Sequence, residues 1–186
     1  MDQNAIWEHS HCCAYYAYTL AKNFKSPNRA LQDDAFVGGM LHDMGKIIFS
    51  AGHPELLDHI RSFCRAKGIE EKTFEDLAGG MNHAEIGARV AEKWNFPARL
   101  VVGIRYHHEP GLMTTDHKDV AFTVYLANAF CEYETGGMTW DQLDPQVLQD
   151  FGFQGEKQFA KTVEQFGEGF RLETIKQRES AGKASY

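Results

Sequence analysis

Apolar residues recur along this chain at intervals of three and four, the spacing of one helix face, and alternating β-branched runs of the kind that form strands are missing. Ile6, His9, Cys13, Ala17 and Leu20 make one stripe of a first helix, interrupted at Ser26-Pro27-Asn28. The pattern predicts a second helix over 29–43, ended or bent at Gly45. Pro54 suits the first turn of a third, which stops at Gly68. A short helix is expected over 73–77, before Gly79-Gly80 breaks the chain. Asn82, with Glu85 three residues on, has capping spacing and opens the next helix. Pro97 starts another, which reaches His107-His108 and is closed by Pro110-Gly111. A long helix follows over 118–133, with Ala121, Val124, Asn128 and Cys131 on its apolar stripe. Asp144-Pro145 caps a short helix, an amphipathic one runs over 156–176, and the final RESAGKASY reads as a frayed tail. The expected architecture is all-α: a single-domain helical bundle over 1–178, with its core over 5–133, C-terminal helices over 144–178 and a polar tail over 179–186.

Composition narrows the partners. A net charge of −7 argues against a nucleic-acid backbone or an anionic membrane as the main partner. A small phosphorylated or nucleotide ligand stays open, because local charge in a cleft decides its binding. No apolar run approaches the length that spans a bilayer, and MDQNAIWEHS lacks the pattern of a secretory signal, so the expected location is cytoplasmic. Cys12, Cys13, Cys64 and Cys131 show no metal-pair spacing and read as reduced, mostly buried thiols.

The histidines carry the chemistry. His9 falls on the core side of its helix and His11 on the other. His42 and Asp43 are adjacent and offer two ligands for one divalent ion, and Lys46 follows one helical turn later. Gly38 and Gly39 leave room for a close approach on that face. His83 is in phase with Gly87, Val90 and Trp94, and His108 with Val101 and Ile104, while His107 lies 100° round. Asn128 is expected to be a buried amide. Several helices thus each bring one polar ligand-type residue to an apolar face. Such burial is costly unless the groups satisfy one another or share a cation. His53, His59 and His117 sit in polar contexts and read as solvated.

With these residues in view, the chain resembles the HD superfamily of metal-dependent phosphohydrolases, and more closely the HD half of HDOD domains. The matching strings are WEHS at 7–10, AFVGGMLHDMGK at 35–46, NHAEIGARVAEKWNFP at 82–97, IRYHHEP at 104–110 and YLANAF at 125–130. HDOD proteins usually carry a further helical segment ahead of the W-x-H-S helix, so the chain is expected to be an excised domain or a minimal form. The resemblance implies one metal held by His9, His42, Asp43 and Asn128, and a second by His83, His107 and His108, with Asp43 bridging. It implies Fe, Mn, Zn or Ni, one or two per chain. The double histidine is also similar to that of HD-GYP phosphodiesterases, but the Gly-Tyr-Pro signature is absent. Asn128 stands where catalytic HD enzymes place an Asp, and a neutral carbonyl is the weaker ligand.

Asp43 and Lys46 are the candidate catalytic residues, Lys46 as a phosphate ligand or as a plain surface lysine. Glu109 reads as a partner for a ligand histidine or as a solvated carboxylate, and Arg105 as an anion contact or a surface residue. The expected function is an HDOD-like regulatory, signal-transduction domain with a His/Asp metal site, whose partners include other signalling proteins or a second copy of itself. The alternatives are an active phosphohydrolase or phosphodiesterase, and a metal-free scaffold.

Overall fold

The computed structural model describes residues 3–24, 28–52, 54–68, 75, 81–114 and 116–183. Its helices are α1 (Gln3–Phe24), α2 (Arg29–Leu41), α3 (Met44–Gly52), α4 (Pro54–Lys67), α5 (His83–Lys93), α6 (Ala98–Arg105), α7 (Lys118–Glu134), α8 (Pro145–Asp150) and α9 (Glu156–Lys183). Single 3-10 turns lie at Pro110–Leu112 and Trp140–Gln142, and there is no strand among the described residues. The all-α expectation holds.

Capping side chains start the helices where the sequence placed them. Asn28 accepts from Ala30 N, Asn82 from Glu85 N, and Asp144 from Gln146 N and Val147 N. Each satisfies an amide that has no partner in the first helical turn. Gly68, with φ of 64°, follows the end of α4.

α7 is the centre of the bundle, packed by α1, α2, α6 and α9. Every residue from Val120 to Cys131 is buried, so the helix has no solvent face where a single stripe was expected. Its Phe122, Leu126 and Phe130 share the main apolar cluster with Tyr16 and Leu20 of α1 and Phe159 of α9. A smaller cluster joins Met44 of α3, Ala88 and Ala91 of α5, and Val101 and Ile104 of α6. Gly39 lets α2 lie directly on α1: a Cβ there would sit 2.8 Å from the Cys13 carbonyl oxygen and 2.9 Å from Ala14 Cα.

Three boundaries differ from the sequence reading. The second helix stops at Leu41, and His42-Asp43 form a turn before α3 begins. Gly45 does not end a helix. It lies in the first turn of α3, against the His83 carbonyl, where a Cβ would collide. α6 ends at Arg105, so His107 and His108 stand in a bend beyond it rather than on the helix. The amphipathic C-terminal helix runs on to Lys183, through most of the stretch read as a tail. The short helix expected over 73–77 lies outside the described residues except for Glu75, which is helical.

Candidate metal centre

Five segments converge on one point. His9 comes from the middle of α1, and His42-Asp43 from the turn between α2 and α3. His83 is the first residue of α5, and His107-His108 follow α6. Asn128 comes from α7. All the residues that the sequence singled out as ligands are therefore brought together. His42, Asp43, His83, His107 and Asn128 are buried, while His9 and His108 are half-buried. Losing the helix under His107-His108 reverses their expected depth: His107 is 1% exposed.

The donors sort into two groups, His9–His42–Asp43 and His83–His107–His108, and within each the ligand atoms lie within 4.8 Å of one another. Asp43 faces both. Its Oδ2 is 3.7 Å from His9 Nε2 and 3.6 Å from His42 Nε2. Its Oδ1 is 3.3 Å from His83 Nε2 and 3.7 Å from His107 Nε2. Within the groups, Nε2 of His9 and His42 are 3.2 Å apart, His83 and His107 3.3 Å, and His83 and His108 2.9 Å.

The partners of three Nδ1 atoms point to the nitrogens that carry protons. His42 Nδ1 is 2.8 Å from the Gly39 carbonyl, and His107 Nδ1 is 2.7 Å from the Ile104 carbonyl. His83 Nδ1 is 2.7 Å from Glu75 Oε2. A carbonyl or carboxylate only accepts, so each Nδ1 donates, and in the neutral ring each Nε2 turns a lone pair inward. His9 and His108 can offer Nε2–H to His42 and His83. No donor is then left for His107 Nε2, and Asp43 Oδ1 is buried without a hydrogen-bond partner. Asn128 Oδ1 is a second buried orphan, beside His9, and its amide is oriented by Nδ2 donating to Glu132 Oε1 at 3.4 Å. Unpaired buried acceptors of this kind can be satisfied by a cation. The donor set of imidazole nitrogens, a carboxylate and an amide oxygen suits a divalent ion such as Mn, Fe, Ni or Zn.

Electrostatics keeps the groups in ligand form. Burial lowers the His9 imidazole to about 4. Burial and the neighbouring imidazoles push His107 and His108 well below the usual range. Burial is the largest single influence on Asp43 and works against ionising it, but the Lys46 ammonium, 3.0 Å from Oδ2, and the neighbouring His42 and His83 together outweigh it and hold the carboxyl well below its usual value. At neutral pH the centre is thus three neutral imidazoles at these positions around one carboxylate, the state that binds metal.

Glu75 was not foreseen. One carboxylate oxygen accepts from both the His83 ring and the His83 backbone N–H, each at 2.7 Å. These bonds outweigh burial and hold its carboxyl below the ordinary value. A carboxylate on the far nitrogen of a metal-binding histidine fixes the ring and raises its basicity. Glu109, considered for that task, is exposed in the turn after His108. Arg105 pairs with Glu85 at 2.9 Å and Glu92 at 3.0 Å, bracing α6 on α5 rather than meeting an anion. Lys46 is no surface lysine, with its side chain 12% exposed. His59 is exposed, His117 is half-buried, and His53 lies outside the described residues. His11, on the outer side of α1, packs its ring on Phe170 at 5.3 Å.

A cleft of about 640 Å³ opens over the His9 side of the centre, with Asp43 and Lys46 in its lining. Another, of about 570 Å³, runs beside His11 and Phe170 away from the ligands. The four cysteines are free thiols, and no helix among the described residues is long and apolar enough to cross a membrane.

Fold and site together define an all-helical domain of the HD type. A sequence profile of the HDOD domain matches residues 1–110, and the chain belongs to the HDOD family. An uncharacterized protein of Treponema pallidum (strain Nichols) is 27% identical over 172 residues, 92% of this chain. The chain spans a third of that relative's length, 33%. An HDOD domain protein of unknown function from Geobacter sulfurreducens superposes with a TM-score of 0.73 at 19% identity, over 92% of this chain and 62% of that one. A protein of Marinobacter aquaeolei VT8 described as a candidate signal-transduction protein gives 0.72 at 19% identity, over 89% and 37%. A candidate phosphohydrolase of Shewanella amazonensis SB2B gives 0.64 at 23% identity, over 90% and 60%. These likenesses establish the shared fold.

Proposed function

We propose that this HDOD domain is a regulatory, ligand-sensing module built around a two-metal centre. One observation carries the reading: the ionised, buried Asp43 turns an oxygen without a hydrogen-bond donor toward the inward lone pairs of His83 and His107. His9, His42, Asp43 and Asn128 would hold one ion, and His83, His107 and His108 the other, with one Asp43 oxygen for each. Bound divalent ions supply Lewis-acid stabilisation of phosphate oxygens. The chain's own residues do the rest. Gly39, Ile104 and Glu75 fix three imidazoles, and Lys46 helps to hold Asp43 ionised while placing an ammonium at the cleft.

The regulatory reading rests on Asn128, a neutral ligand where a carboxylate would bind more firmly. The Marinobacter neighbour's description as a candidate signal-transduction protein points the same way. A second reading, hydrolysis of a phosphate ester, is favoured by Lys46 at the cleft beside the bridging carboxylate and by the Shewanella neighbour's description. Elemental analysis of protein purified without chelators tests the centre, with about two ions per chain expected by the two-ion arrangement. Assay of a phosphodiester panel with added Mn or Fe separates the readings. Sustained turnover by the unaltered protein would replace the regulatory reading with the second.

A further inference from the structure

The cleft of about 570 Å³ beside His11 is built from α1, α2 and α9, and no ligand of the metal centre lines it. Tyr15 and Tyr18 of α1 form part of its wall, with Phe36 and Val37 of α2 and Phe170 of α9. Tyr18, Phe36 and Val37 are 36%, 40% and 36% exposed and belong to neither apolar cluster. Large apolar side chains gathered in one concave surface, outside the core, mark a contact site. The volume falls within the roughly 300–1,000 Å³ of small-molecule sites.

The rings form a corner and not a flat stack. His11 and Phe170 meet at 5.3 Å and 71°, and Tyr15 and Phe170 at 5.6 Å and 50°. An aromatic face attracts a cation through its quadrupole. The charge agrees in sign. Asp33 of α2 and Glu173 of α9 are exposed in the same lining, and no lysine or arginine among the described residues joins them there. Asp33 pairs loosely with Arg29, whose Nε is 3.8 Å from Oδ2, the two side chains being 63% and 90% exposed. An exposed pair of this kind contributes little. Glu173 accepts from Gln177 Nε2 at 3.4 Å, a neutral donor. The cleft is therefore acidic as well as aromatic.

We propose that this cleft binds a small organic cation, an amine carried on a flat apolar body, with the body against Tyr18, Phe36 and Phe170 and the charge toward Asp33 and Glu173. The site is separate from the metal centre and does not depend on metal.

The test is an NMR titration with tryptamine, tryptophol and indoleacetate, which share an indole and end in an ammonium, a hydroxyl and a carboxylate. Tryptamine binds about fivefold or more tightly than tryptophol, the scale of an exposed ion pair added to a cation–π contact, and indoleacetate binds most weakly. The preference shrinks in about 1 M salt, which screens exposed charges. Asp33→Asn with Glu173→Gln, both at exposed positions, removes the preference and leaves tryptophol binding in place. Phe36→Ala weakens tryptamine and tryptophol alike. EDTA changes none of these affinities. Equal affinity for tryptamine and tryptophol overturns the proposal, as does a preference that survives the double substitution. Binding that is lost in EDTA, or no binding of any probe, overturns it as well.

Discussion

Asp43 Oδ1 lies 3.3 Å from His83 Nε2, and no hydrogen bond joins the two atoms. The His83 proton is on the opposite nitrogen, given to Glu75. Two acceptors thus face each other inside the bundle, an arrangement that favours a cation between them.

Asp43→Asn should act in opposite ways with and without metal. The amide can donate to the His83 or His107 lone pair, which offsets losing the Lys46 pair. Chelated protein should therefore stay within about 1 kcal/mol of the chelated parent, the scale of one hydrogen bond. In metal-containing buffer the parent should be stabilised and the variant not, because only binding to the folded state raises stability. Urea denaturation with and without EDTA measures both differences. A variant that retains both ions would remove Asp43 from the ligand set.

Glu75→Gln keeps an acceptor for the His83 ring but removes its charge. Affinity for the ion at His83, His107 and His108 should fall by roughly 10–100-fold, as for other carboxylate partners of metal-binding histidines. The ion at His9 and His42 should be unaffected. Mn titration followed by electron paramagnetic resonance resolves the two sites, and equal weakening of both would contradict the assignment.

Gly45→Ala places a methyl group against the His83 carbonyl, and backbone on both sides leaves little room to yield. The substitution should destabilise the protein by at least about 2 kcal/mol, typical of overpacking. It should also prise Asp43 from His83, lowering metal content in whatever fraction folds. Unchanged denaturation midpoint and metal content would show that α3 and α5 are not so closely seated.

Asn128→Asp exchanges a neutral oxygen for a carboxylate at a position that is 3% exposed, and it sets that charge against Glu132. Chelated protein should lose stability, by about 1–3 kcal/mol for an unpaired buried polar group. Metal affinity at the His9 and His42 site should rise. If the weak ligand limits hydrolysis, turnover should rise with it. Higher affinity without turnover would favour the regulatory reading.

The chelated protein should also weaken in mild acid. An unfolded imidazole takes up a proton near pH 6.5, whereas His9 resists until about 4, and His107 and His108 are also held well below the ordinary value. Below about pH 6.5 the unfolded chain therefore binds more protons than the folded one, and stability falls as pH falls. For His9 the loss is complete once pH passes its folded value of about 4. Urea midpoints in EDTA should drop steadily from pH 7.5 to 5. A flat profile would mean that these imidazoles are already protonated in the fold.

The residues of the centre were legible because helices are local. A period of 3.6 residues is written in neighbours along the chain, so the stripe of His9 with Ile6, Cys13 and Ala17 could be read directly. Asn82 and Asp144 announced their helix starts for the same reason, since a cap acts on amides two or three residues away. The order of the motifs then indicated the family. Phase failed at His107 and His108, where α6 had already ended and no period applied.

What lay beyond the sequence was every relationship made across space. Glu75 and His83 are eight residues apart with no pattern joining them, and only the closed fold puts a carboxylate on that ring. The close seating of α3 on α5 depends on Gly45 meeting the His83 carbonyl, far along the chain. The complete burial of α7 depends on four other helices surrounding it. The chain by itself determined which side chains share a helix face, because that is settled within a few turns of helix. The tertiary structure alone decided which of them face one another, and with which nitrogen, because those choices belong to packing between distant segments.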